Sequence, residues 1–281
     1  MALLLGALSS HANAQPSASR GEYVFRAAGC YACHTDEKNG GAPLAGGTPI
    51  QTPFGTFHGP NITPDPTHGI GRWSADDVVR ALRRGVSPSG KTYYPAFPYT
   101  AYARAEESDL RDLAAYLLAQ KPVAQPSKSH ELDFPYSVRV AMIPWRWLNF
   151  DPSPWKPDPT KSAPINRGAY LVEVLGHCGE CHTPRTSMGA LDRANWLAGA
   201  RLPPTKDVAP NLTPHASGLA DWSAEDIADT LALGLAPAGD PLGGSMAEVV
   251  QHSTSKLSNE DRAAIAAYLK SLPPLPSTAR R

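Results

Sequence analysis

Cys30-Tyr31-Ala32-Cys33-His34 and Cys178-Gly179-Glu180-Cys181-His182 decide the reading of this chain. Each is a C-x-x-C-H stretch, the spacing that attaches c-type haem. The two sulfurs add across the haem vinyl groups as thioethers, and the adjacent histidine ligates the iron. The chain has four cysteines, all in these two stretches, so none remains for a disulfide. A zinc site made from all four would need its pairs about 15–20 residues apart. The leading cysteines, Cys30 and Cys178, are 148 positions apart, and zinc gives no reason for a histidine after each pair. The expected cofactors are two covalently bound haem c groups on Cys30, Cys33, Cys178 and Cys181, with His34 and His182 on the metal.

The surroundings of the two stretches repeat. Arg20-Gly21-Glu22-Tyr23-Val24 returns as Arg167-Gly168-Ala169-Tyr170-Leu171. Pro60-Asn61-Ile62-Thr63-Pro64 returns as Pro210-Asn211-Leu212-Thr213-Pro214, and Trp73-Ser74-Ala75-Asp76-Asp77 as Trp222-Ser223-Ala224-Glu225-Asp226. Ala114-Ala115-Tyr116-Leu117 returns as Ala266-Ala267-Tyr268-Leu269. Matching landmarks at a nearly constant offset mean a duplicated domain.

Each repeat reads as helical. A short helix precedes each cysteine pair. Ser74 and Ser223 are N-caps with an acid three residues on, as in a capping box. Gly85 and Gly234 are C-terminal stops. Closing helices are expected near Glu106–Gln120 and Ser258–Ser271, where Leu110, Leu113, Leu117 and Ile265, Tyr268, Leu269 fall at helical spacing. The organisation is residues 15–121, a first domain; 122–165, a linker rich in proline and tryptophan that includes Trp145, Trp147 and Trp155; and 166–281, a second domain. Three tryptophans argue for an ordered strap rather than a flexible linker. Exposed aromatics would suit a partner surface instead.

The bulk properties set bounds. At 281 residues the chain suits two modest domains. The formal net charge of +0 gives no electrostatic support to a nucleic-acid partner. Residues 1–14 read as an export signal: Ala2 to Leu8 form an apolar core and Ala12-Asn13-Ala14 a cleavage site. A positive n-region is missing, which implies a truncated signal or a start upstream. No later stretch is long and apolar enough to span a bilayer. Export fits c-type haem and points to the periplasm.

Further strings carry a family likeness: Gly59-Pro60-Asn61-Ile62-Thr63-Pro64-Asp65, Gly69-Ile70-Gly71-Arg72-Trp73-Ser74, Tyr94-Pro95-Ala96-Phe97-Pro98-Tyr99 and Gly176-His177-Cys178 through Arg185. With them the chain resembles the multihaem cytochrome c subunits of bacterial periplasmic dehydrogenases acting on alcohols, gluconate or aldehydes. The resemblance implies an all-α fold of two class I cytochrome c domains. It also implies that the carbonyls of Pro60 and Pro210 orient the haem histidines. The implied function is electron transfer from a quinoprotein, flavoprotein or molybdenum dehydrogenase to an oxidase, a quinone or a small cytochrome. Membrane association would come through a partner. No catalytic residue is expected. The rival reading is a dihaem enzyme such as a peroxidase.

A His/Met pair raises a haem's potential and suits electron transfer. Met246, 64 residues after His182, stands where the family places its second ligand. The first domain departs from that pattern. Where relatives carry methionine, this chain has Phe97 or Ala105, neither of which binds iron. Tyr99, His58, His68, Met142 or an open position remain, with Tyr93, Tyr94 and Tyr102 behind them. An anionic or nitrogen ligand would set the first haem at lower potential, and electrons are then expected to arrive there and leave from the second. His11, His130, His177, His215 and His252 read as signal, surface or haem-edge residues.

Overall fold

Two near-copies of one helical arrangement follow each other along the chain. A computed structural model describes residues 16–205 and 207–279; the expected export segment, 1–14, lies outside them. The first repeat holds α1 (Ala18–Ala27), α2 (Cys30–His34), α3 (Ala75–Arg84), α4 (Tyr99–Tyr102) and α5 (Glu107–Leu118). Then comes α6 (Met142–Asn149). The second repeat holds α7 (Ala163–Tyr170), α8 (Gly179–His182), α9 (Ala224–Leu233), α10 (Gly244–His252) and α11 (Asn259–Ser271).

The caps form as the sequence dictates. Ser74 Oγ accepts from the Asp77 amide and the Asp77 carboxylate accepts from the Ser74 amide; Ser223 and Asp226 do the same. Gly85 and Gly234 end their helices in the left-handed region, at φ +57° and +73°. The first and closing helices of each repeat, α1 with α5 and α7 with α11, cross closely because glycine sits at the crossing. A Cβ on Gly21 would lie 2.0 Å from the Asp112 carbonyl oxygen, and one on Gly168 1.9 Å from that of Ala264. Val24, Phe25, Leu110 and Leu113 bury the first crossing, and Leu171, Val172, Ile265 and Leu269 the second. Each such side chain contributes about 1.5–3 kcal/mol.

Two features were not legible from sequence. The fold is mainly helical, yet it includes a small antiparallel sheet. β1 (Pro49–Thr52) pairs with β2 (Gly55–His58), and β2 with β3 (Glu131–Leu132) of the linker. A second pair joins β4 (Ala200–Arg201) to β5 (Val208–Ala209). These strands are too short to show a period of two. In addition, α7 runs on through a π-helical turn, Leu171–Leu175, closed by the Gly176 amide donating to Leu171 O at 2.7 Å. That turn delivers the chain to Cys178 by way of His177 at φ +38°.

The repeats lock together reciprocally. In the first, Arg20 pairs with Asp109 of α5, and Tyr170 of α7 donates to the other oxygen of Asp109 at 2.7 Å. In the second, Arg167 pairs with Asp261 of α11, and Tyr23 of α1 donates to Asp261 at 2.6 Å. The recurring R-G-x-Y string therefore divides its labour. Its arginine holds the closing helix of its own repeat, its glycine lets that helix approach, and its tyrosine crosses to the other repeat. The linker joins this assembly through Trp155, whose ring meets Tyr170 edge-on at 5.3 Å.

Candidate haem-binding sites

The two C-x-x-C-H stretches fold alike. Cys30 to His34 form α2, and Cys178 leads directly into α8. A helical turn puts both sulfurs and the histidine on neighbouring faces of one short segment. Glycine surrounds the first: a Cβ on Gly47 or Gly59 would lie 1.7 or 1.8 Å from the Cys33 carbonyl oxygen.

Each histidine is oriented by a prolyl carbonyl. His34 Nδ1 lies 2.7 Å from Pro60 O, and His182 Nδ1 2.8 Å from Pro210 O. A carbonyl only accepts, so Nδ1 carries the proton and Nε2 keeps its lone pair for a metal. Burial pushes both imidazoles below the ordinary histidine value, while the carbonyl bond acts the other way. Neutral rings are the form that ligates. The cysteines are unpaired, and burial pushes the Cys30 and Cys178 thiols up to about 12. All four cysteines are free of disulfides and so available for thioether attachment. Among the described residues, no cluster of three or more His, Cys, Asp or Glu could hold a metal ion.

Met246 is half-buried in the first turn of α10. Glu248 and His252, one turn apart, face the first repeat: Glu248 pairs with Lys38, and His252 Nε2 lies 2.9 Å from Glu37 Oε2. Met246 and Val250 share the opposite face, and Val250 is buried in the second repeat.

In the first repeat the candidate ligands separate. His58, buried on β2, sets Nε2 3.1 Å from Glu131 Oε1. Tyr94 donates to Tyr136 O and Tyr102 to Ala28 O. Tyr99 is fully buried, with the Arg146 guanidinium 4.9 Å from its ring centre and Phe150 edge-on. His68, Met142 and Tyr93 are half-buried, and none shows a side-chain hydrogen bond. Tyr93 stands perpendicular to Phe97 at 5.6 Å, and burial pushes its hydroxyl up to about 12. Ala105 is buried in the core.

The two sites adjoin, which the sequence does not reveal. His177, next to Cys178, and Tyr102 both reach the Ala28 carbonyl, two residues before Cys30, at 3.3 and 2.8 Å. Their rings meet edge-on at 5.5 Å. Reciprocally, Tyr31, inside the first stretch, stacks on His252 at 4.4 Å. The short helix on the far side of each repeat covers the cysteine stretch of the other. The only hint was that Tyr102 and His252 occupy matching repeat positions.

The family model for cytochrome c matches twice, over residues 18–121 and 165–273. The chain belongs to the cytochrome c family. As a member matched over two segments, this cytochrome carries two covalently bound haem c groups. It is 48% identical, over 91% of its length and 86% of the other's, to a dihaem c-type cytochrome of Cereibacter sphaeroides. It is 42% identical to the gluconate 2-dehydrogenase cytochrome c subunit of Pantoea cypripedii, over 97% of this chain and 64% of that one. It is 41% identical to the fructose dehydrogenase cytochrome subunit of Gluconobacter japonicus, over 92% of this chain and 53% of that one. The cytochrome thus spans little more than half the length of those dehydrogenase subunits. Among the described residues, no helix is long and apolar enough to cross a membrane.

Proposed function

We propose that this cytochrome is the dihaem electron-transfer subunit of a periplasmic dehydrogenase, carrying electrons one at a time toward an oxidase, a quinone or a small cytochrome. The observation that carries the reading is the matched pair of histidines. Each is fixed through Nδ1 by a prolyl carbonyl, and their two sites meet across a shared boundary. Cys30, Cys33, Cys178 and Cys181 would form the thioethers, and His34, His182 and Met246 would hold the irons. The haem iron supplies the one-electron chemistry. The chain's own residues orient the ligands and hold the two sites close. None is needed as acid, base or nucleophile. An anionic or nitrogen ligand at the first site sets its potential below that of the second. The donor is a quinoprotein, flavoprotein or molybdenum enzyme.

Redox titration of the purified holoprotein, followed by haem absorbance, tests this. Two one-electron waves are expected, the higher belonging to the haem that loses its signature in Met246→Ala. A single unresolved wave, or a higher wave belonging to the first haem, overturns the assignment. Reduction by the physiological dehydrogenase with its substrate tests the electron-transfer role itself.

A further inference from the structure

His177 stands where the repeat calls for glycine. It precedes Cys178 as Gly29 precedes Cys30, and both positions take the left-handed region, at φ +38° and +61°. Glycine adopts that region freely, while a residue with a Cβ is strained there. A Cβ on Gly29 would meet nothing within 4 Å, so backbone conformation rather than space favours glycine in the first repeat. The second repeat tolerates the strain and keeps a side chain. Strain retained beside a cofactor stretch points to a use for that side chain. The π-helical turn Leu171–Leu175 leads into it, and such turns gather at functional sites.

The side chain crosses to the other repeat. Its Nε2 lies 3.3 Å from the Ala28 carbonyl oxygen. A carbonyl only accepts, so Nε2 carries the proton. Ala28 is two residues before Cys30. The backbone from Cys30 to that carbonyl, the hydrogen bond and the imidazole beside Cys178 therefore form an unbroken route between the two cysteine stretches. Neighbouring side chains offer no equal. Tyr102 donates to the same carbonyl but belongs to the first repeat. His252 stacks on Tyr31, yet its Nε2 meets Glu37 and it stands on α10, far along the chain from Cys178. The stretches also approach through their cysteines: burial, and after it the nearby Cys181, pushes the Cys33 thiol up to about 11.

We propose that His177 couples the two haem stretches for electron exchange, through its Nε2–H joined to the Ala28 carbonyl. The inference rests on the electron-transfer reading above and names the internal route that the reading needs. Electronic coupling decays far less along covalent bonds and a hydrogen bond than across an open gap. A donor held at this carbonyl therefore speeds exchange between the groups that the stretches carry. One electron moves, so one iron is oxidised as the other is reduced. No proton moves, since the imidazole keeps its hydrogen on Nε2. His177 acts here as a positioning residue, and the role asks for no iron ligation.

The test uses the full holoprotein, with its haems counted as the pyridine haemochrome. A one-electron reducing pulse is applied, and the settling of the electron between the haems is followed by absorbance. His177→Gly gives the second repeat the residue of the first, which relieves the strain and removes the link. Exchange is expected to slow by about an order of magnitude. Haem spectra and both potentials should keep their wild-type values. The thermal midpoint should move little, because relieved strain and a lost hydrogen bond act in opposite senses. His177→Gln returns an N–H donor and is expected to restore most of the rate. Wild-type exchange in His177→Gly, or equally slow exchange in both variants, overturns the route and leaves the electron-transfer reading standing. A shift in potential large enough to account for the slowing does the same. If the protein holds fewer than two haems, or neither takes an electron, both inferences fall together.

Discussion

The hydroxyl of Tyr23 donates to the carboxylate of Asp261, 238 residues further along the chain, at 2.6 Å. The partner relation, Tyr170 to Asp109, repeats it in the opposite sense at 2.7 Å. A hydrogen bond to a charged group contributes about 1.5–3 kcal/mol. Tyr23→Phe removes the bond and keeps the ring, so it should cost about 2 kcal/mol in denaturant unfolding of the holoprotein. Tyr170→Phe should cost a similar amount, because the geometry is repeated. If either variant unfolds like the wild type, the tyrosines merely pack.

Asp261 makes the lock sensitive to acid. Burial by itself raises this carboxyl, but the bonds from Arg167 and Tyr23 outweigh it and hold the group below the ordinary Asp value. A depressed folded-state value stabilises above the unfolded-state pKa, near 3.9. That stabilisation disappears as pH falls through the folded value. Unfolding stability should therefore decline below about pH 4, and Asp261→Asn should flatten the decline while lowering stability at neutral pH by about 2 kcal/mol. Urea midpoints taken from pH 7 to pH 3 would show it; an unchanged acid slope in Asp261→Asn would refute it.

Gly168 permits the close crossing of α7 with α11. Alanine there would drive its Cβ to 1.9 Å from the Ala264 carbonyl oxygen and 2.8 Å from the Tyr268 Cβ. The backbone carbonyl cannot swing aside, so the helices must separate, at a cost of about 3 kcal/mol. Gly168→Ala should lower the thermal midpoint accordingly. Ala169→Gly, next to it on the same helix, should cost the propensity difference and a buried methyl without any clash, about 2 kcal/mol.

Much of this was legible in the sequence, for physical reasons. The haem stretches, the Ser74 and Ser223 caps and the Gly85 and Gly234 stops are local, and their chemistry is fixed by side chains within a few residues. The R-G-x-Y strings were visible as a repeat, but their meaning was not, because Asp109 and Asp261 lie about 90 residues away. The cross-repeat contacts of Tyr31 and His252 are less legible still, since neither residue type announces a partner. The β1–β2 hairpin carries too few residues for a pattern. The outward exposure of Trp147 and Leu148 in the linker was not legible, because Trp and Pro content does not say which way a side chain points.

Met246 shares the inward face of α10 with Val250. Met246→Ala should lower the potential of the second haem and remove its methionine-ligation spectrum. Truncating a half-buried methionine costs stability too, about 2 kcal/mol at the low end of core truncations, which is why the potential is the readout. Met246→Leu separates the two effects: it restores packing and should leave the potential as low as in Met246→Ala. A leucine variant with the wild-type potential would place the ligand elsewhere.

The first repeat offers the converse experiment. Phe97 packs half-buried against the core, between Tyr93 at 5.6 Å and Tyr102 at 6.0 Å. It occupies the string in which the dehydrogenase cytochromes that this chain resembles carry a methionine. Met and Phe are close in volume, so Phe97→Met should fit with a cost under about 1.5 kcal/mol. Methionine at Ala105 would enter a fully packed site and cost about 1–3 kcal/mol. A thioether supplied at residue 97 should raise the potential of the first haem toward that of the second, so that two separated waves in a redox titration draw together. Tyr99→Phe serves as the control. Its buried hydroxyl has no hydrogen-bond partner among the described residues, so this variant tests the tyrosine directly: a first wave that stays where it is rules Tyr99 out as the ligand. If the wave moves in Tyr99→Phe and not in Phe97→Met, the tyrosine is the ligand and the loop is set differently around the iron.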